Sequence, residues 1–161
     1  MNRGDTRLVT GGTTIGVGLA GFVDGILFHQ ILQWHEMVSS VVPPIDLLSV
    51  KLNMLYDGVF HAVMWVTTVV GILFLVGAVG EERRLPVGPT FGGAVLVGWG
   101  VFNVVEGLVD HQWLGLHHLH PGAGQAAWDA GFIVVSAALA VVGAAVLVHT
   151  VRQAEPQLGA A

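Results

Sequence analysis

The chain has 161 residues, of which 53% are hydrophobic and only 11% charged, with eight histidines and no cysteine. Soluble domains carry about 25% charged residues, so this composition with mean hydropathy +0.73 reads as one integral membrane domain. The missing thiol excludes disulfides, thiolate metal sites and thiol redox chemistry, and a formal net charge of −5 argues against nucleic-acid binding.

The apolar pattern predicts an all-α fold, a four-helix membrane bundle with helices at about 13–36, 51–79, 90–114 and 126–150. Each exceeds the roughly 20 residues needed to cross a hydrocarbon core of about 30 Å. The first is too long for a signal h-region, carries Asp24 and His29, and lacks a small-residue cleavage site after it, so no cleavable signal peptide is expected. Pro43-Pro44 ends helical structure in the first connection, where Ile45–Ser49 suits a short interfacial turn. Glu81, Glu82, Arg83 and Arg84 mark a solvated second connection; His117, His118, His120 and Pro121-Gly122 fill the third; the tail from Gln153 is short and polar. Arg3, Arg7, Arg83, Arg84 and Arg152 fall on one side and Lys51 alone on the other, which predicts cytoplasmic termini in the plasma membrane.

Threading the four helices antiparallel brings their polar residues to one side, facing outward. The first helix contributes Asp24, His29, Gln33, His35 and Glu36 from its second half. The second contributes Asn53, Asp57 and His61 from its first half, the third Asn103, Glu106, Asp110 and His111 from its second half, and the fourth Asp129. Asp57 and His61 are four apart and share a helix face. No arginine joins the six carboxylates on this side, so they need protons, imidazolium or a bound cation. Ionisable groups in a bilayer are costly and mark function by default.

Histidine with carboxylate and no thiolate is a ligand set for zinc or iron, with manganese and copper also admitted. The expected ligands are His29, His35, Asp57, His61, Asp110, His111, His117 and His118, enough for one or two divalent transition-metal ions. Asp24, Gln33, Asn103, Glu36 and Asp129 are expected to orient them. Glu106 is the expected general acid or base. The Asp57-x-x-x-His61 and Glu106-x-x-x-Asp110-His111 spacings depart from the Glu-x-x-His pairs of soluble di-iron bundles.

Small residues four apart (Gly12/Gly16, Gly21/Gly25, Gly88/Gly92) predict close helix packing. No sequence repeat stands out beyond a weak likeness of Phe22–His29 to Tyr56–His61.

The segments GFVDGILFHQILQWHEM (21–37), YDGVFHAVMW (56–65) and FNVVEGLVDHQWLGLHHLHPG (102–122) resemble an uncharacterised family of bacterial and archaeal four-helix membrane proteins, a domain of unknown function. The resemblance implies the four-helix fold and importance for Asp24, His29, His35, Asp57, His61, Asn103, Glu106, Asp110, His111, His117 and His118. It also implies neighbours of the respiratory-oxidase assembly type, which would favour copper or haem handling.

Three readings stand open. The first is a metal-dependent membrane hydrolase or oxidoreductase, taking a lipidic or small-molecule substrate. The second is a metal chaperone, sensor or assembly factor whose partner is a respiratory complex. The third is a haem protein with axial ligands such as His29 and either His61 or His111. A channel is disfavoured because Val66–Val79 and Ile133–Val148 are almost wholly apolar.

Overall fold

Asn2 caps the first helix in a reciprocal box with Asp5, so α1 (Arg3–Val23) begins well before the apolar stretch that betrays it. The computed structural model describes the backbone of residues 1–158 and side chains through Ala154. Beyond Val23 the helix widens into a π-helical segment, π1 (Asp24–Ile31). Asp46 caps α2 (Leu47–Gly77) with Ser49, so the expected interfacial turn is instead the helix start. Pro86 precedes α3 (Val87–Glu106), which passes into a second π segment, π2 (Gly107–Trp113). The fourth helix, α4, runs from Gln125 to Leu158, through the expected tail. Four helical stretches are long and apolar enough to cross a membrane, and no strand occurs among the described residues.

The helices lie in the order α2–α1–α3–α4; α2 and α4 do not meet. Only 11% of the most apolar stretch of each outer helix is buried, against 50% for α1 and 39% for α3, so α1 and α3 form the spine. Their backbones meet directly. A Cβ on Gly16 would strike the carbonyl of Val95, and one on Gly98 would strike that of Thr13. Gly12, Gly21 and Gly25 are likewise packed closely, whereas Gly88 and Gly92 face open space.

That contact pair is reciprocal, and so is much else, which corrects the expectation of no repeat. One constant offset relates Thr13 to Val95, Gly16 to Gly98, Asp24 to Glu106, Gly25 to Gly107, His29 to His111 and His35 to His117. A second offset relates α2 to α4: Gly71 packs near Gly11 as Gly143 packs near Gly93. Two helical hairpins therefore stand side by side about an approximate two-fold axis along the bundle. The Phe22–His29 likeness to Tyr56–His61 corresponds to nothing in this arrangement. The true repeat is masked because Asp24 becomes Glu106 and the first hairpin has the longer connection.

At the end away from the site, the Asp5 carboxylate accepts the backbone N–H groups of Arg84 (3.0 Å) and Leu85 (3.1 Å). Arg7 pairs with Glu81 at 2.7 Å and donates to the Gly77 carbonyl. The charged loop is thus tied to the start of α1.

Candidate metal centre

Each π segment is followed by a tight reversal. Leu32 N–H donates to the Leu27 carbonyl (2.8 Å) and Trp34 N–H to that of Phe28 (2.9 Å). The second repeat copies this with Leu114 to Val109 (2.7 Å) and Leu116 to Asp110 (2.9 Å). Between them the chain turns through left-handed backbone at Gln33 (φ 52) and Gly115 (φ 58). The reversals swing His35 and His117 back under the ends of α1 and α3, leaving the helix earlier than the predicted boundary at 36. The widened turns are common at functional sites.

The two imidazoles stack across the approximate axis, with centroids 4.6 Å apart and planes 4° from parallel. They are anchored by exchange. His35 Nδ1 donates to the Leu119 carbonyl (2.9 Å), and His117 Nδ1 donates to that of Met37 (3.0 Å). Burial, reinforced by His117 beside it, pushes His35 down to about 3. Its ring is therefore neutral, with Nε2 left as a lone pair.

His29 and His111 are anchored by carboxylates from the outer helices. His29 Nδ1 is bonded to Asp57 Oδ1 at 2.9 Å, and the same oxygen accepts Met37 N–H at 2.9 Å. In the second repeat His111 Nδ1 lies 3.2 Å from Asp129 Oδ1, which accepts Leu119 N–H at 2.9 Å.

Nδ1 is hydrogen-bonded in His29, His35 and His117 and faces Asp129 in His111, and the four Nε2 atoms point inward to two more carboxylates. His29 Nε2 is 3.0 Å from Asp24 Oδ2, and His35 Nε2 is 3.9 Å from Asp24 Oδ1. His111 and His117 each place Nε2 3.0 Å from Glu106 Oε1. The four rings are at most 3% exposed. Nε2 of His29 and His35, both ring nitrogens of His111, Asp24 Oδ1 and Glu106 Oε2 have no hydrogen-bond partner. Buried acceptors facing one another need a cation between them. Among the described residues, the groups able to hold a metal are Asp24, His29, His35 and His117 on one side and Glu106, His111 and His117 on the other, each set's donor atoms within 4.8 Å of one another. Histidine nitrogen and carboxylate oxygen suit a transition-metal ion, and the Nδ1 anchors fix tautomer and ring direction as metal-binding histidines require.

The other expected site residues are distributed around this core. Asp57 and Asp129 hold imidazoles from behind, and His118 Nδ1 bonds Asp129 Oδ2 at 2.7 Å. His61 stands apart, its Nε2 against Gly25 and its Nδ1 3.4 Å from Gln30. Asp110 is half-buried and belongs to neither group. Gln33 and Glu36 line a polar cleft of about 540 Å³ that reaches His29 and Asp57. Burial, with Asp57 nearby, raises the Glu36 carboxyl above its ordinary range. Asn103 is buried with Oδ1 unpartnered and lines a separate, mainly apolar pocket, also about 540 Å³, with Phe28, Trp128 and Phe132. His120 packs on Trp34 and Trp128 rather than on the centre.

Side-chain chemistry alone put Asp24 among the orienting residues, whereas it stands in one of the groups that could hold a metal, and it missed the carbonyls of Met37 and Leu119. The available signal was the spacing Asp24-Gly25-x-x-x-His29-Gln30…His35, repeated as Glu106-Gly107-x-x-x-His111-Gln112…His117.

A family model described as "Predicted membrane protein (DUF2243)" matches residues 11–150. The chain belongs to that membrane-protein family, whose function is unknown. No curated protein and no solved structure matches it.

Proposed function

We propose that this family member is a metal-dependent membrane enzyme, with a transition-metal centre in the outer half of the bundle and both termini in the cytoplasm. One observation carries the reading: four buried imidazoles, three hydrogen-bonded through Nδ1 and His111 with Nδ1 3.2 Å from Asp129, aim Nε2 at Asp24 and Glu106. Zinc or iron fits this donor set best, and copper is admitted. Such an ion supplies Lewis acidity, an activated water or redox chemistry, which makes hydrolysis or oxidation the reaction classes.

The protein's own groups have distinct tasks. Asp24 and Glu106 act as ligands, so Glu106 moves from the acid–base role its sequence position suggested. Asp57 and Asp129 keep Nδ1 protonated and Nε2 free on His29 and His111. Glu36, in the polar cleft with its carboxyl raised by burial, is placed to exchange a proton with a substrate approaching His29. Haem is disfavoured because carboxylate oxygens lie 3.0 Å from Nε2 of His29, His111 and His117, where a porphyrin would have to pass.

Elemental analysis and an optical spectrum of tag-free protein, purified in detergent, test this. A stoichiometric transition metal without a Soret band is expected. Metal-free protein that takes none up on reconstitution would overturn the reading, as would a Soret band.

A further inference from the structure

We infer that the centre holds two metal ions, one in each repeat: the first on Asp24, His29 and His35, the second on Glu106, His111 and His117. This rests on the metal-centre reading and specifies it.

Three observations converge. The first is the repeat, which supplies the same set twice: one carboxylate and two imidazoles, presented by a π segment and the reversal after it. Each set leaves coordination positions open on its ion, as sites that bind a reactant must.

The second is reach. Donors about 2.1 Å from one ion lie at most about 4.2 Å apart. The six donors do not form one such cluster; they separate into two sets joined only through His117. His117 cannot serve both ions, because its Nδ1 is engaged by the Met37 carbonyl and only Nε2, now bonded to Glu106 Oε1, could turn to a metal. The repeat assigns it to the second set, where it stands 3.0 Å from Glu106 Oε1. His35, its counterpart, belongs to the first.

The third is charge. Asp24, Asp57, Glu106 and Asp129 all touch the imidazoles, and none of them pairs with a lysine or arginine among the described residues. Two divalent ions match four buried carboxylates charge for charge. One ion would leave two negative charges to be met by protons on carboxylates or imidazoles, and a donor atom that carries a proton is not a ligand.

The halves differ around this shared core. His61 and Met64 flank the first repeat where Ile133 and Ser136 flank the second. The polar cleft reaches only His29 and Asp57, so the two ions would meet a substrate unequally.

The test is titration of metal-stripped, full-length protein with Co²⁺, followed by visible absorption and by elemental analysis. Wild type should saturate at two equivalents per chain. The paired variants Asp24→Asn/His29→Gln and Glu106→Gln/His111→Gln should each fall from two to one. Saturation of wild type at one equivalent would overturn the two-ion centre while leaving the metal-centre reading in place; no uptake would overturn both. Loss of all cobalt from either variant, with helicity and monodispersity intact, would also overturn the separation into half-sites. Should a variant fail to fold, the wild-type titration still decides.

Discussion

His29 and His111 show how little freedom the site's residues retain. Each ring is fixed from behind by a carboxylate on an outer helix, and that carboxylate also accepts a backbone N–H from the opposite side of a loop. Asp57 and Asp129 thus face one imidazole of the cluster and hold the loop that carries the next. Orienting carboxylates of this kind are worth about 10- to 100-fold in metal affinity. Asp57→Asn and Asp129→Asn should each weaken metal binding by about that factor, read by competition with a chromophoric chelator. His61→Ala should leave affinity and stoichiometry unchanged, since His61 belongs to neither set. An equal loss in the His61 variant would bring that residue into the coordination sphere.

At the scale of elements, the spine depends on two glycines. The backbones of α1 and α3 are too close at Gly16 and Gly98 for any side chain, because the opposing atoms are carbonyls that cannot rotate away. Gly16→Ala and Gly98→Ala must therefore push the repeats apart, at about 1–3 kcal/mol for an overpacked contact. Gly92→Ala, facing open space, should be neutral or mildly stabilising, because alanine favours helix. Thermal unfolding in detergent, read by circular dichroism, compares them. If Gly16→Ala melts with wild type, the backbone contact is not what holds the spine. The sequence made the four helices legible through uninterrupted apolar stretches, and made the site's end legible through the side on which Asp24, His29, Glu106 and His111 fall. The helix starts were less visible, since the Asn2 and Asp46 caps recruit polar residues that resemble loops. The π segments were invisible, because they depend on where the chain reverses rather than on hydrophobic period. The sequence could not separate ligand from support: Asp24 and Asp57 look alike there, and only the ring nitrogen each one faces distinguishes the roles proposed for them.

For the whole molecule, the approximate two-fold axis gives both repeats the same direction through the bilayer, so the two half-sites meet at one face. Which face follows from charge. Among the short connections and termini, Arg3, Arg7, Arg83, Arg84 and Arg152 lie at the end opposite the site, and Lys51 alone lies at the site's end. Basic residues remain cytoplasmic during insertion, so the centre should face outward. Asp5, held by the Arg84 and Leu85 N–H groups, locks the basic loop to the first helix and keeps these charges together at one end. The absence of cysteine makes the orientation directly measurable. In intact cells, Ser40→Cys and Ala123→Cys, both exposed in connections beside the centre, should react with a membrane-impermeant maleimide. Glu82→Cys, exposed in the opposite loop, should react only after permeabilisation. The reverse pattern would put the centre on the cytoplasmic side. Its metal would then come from the cytoplasmic pool, and a substrate would have to approach from within.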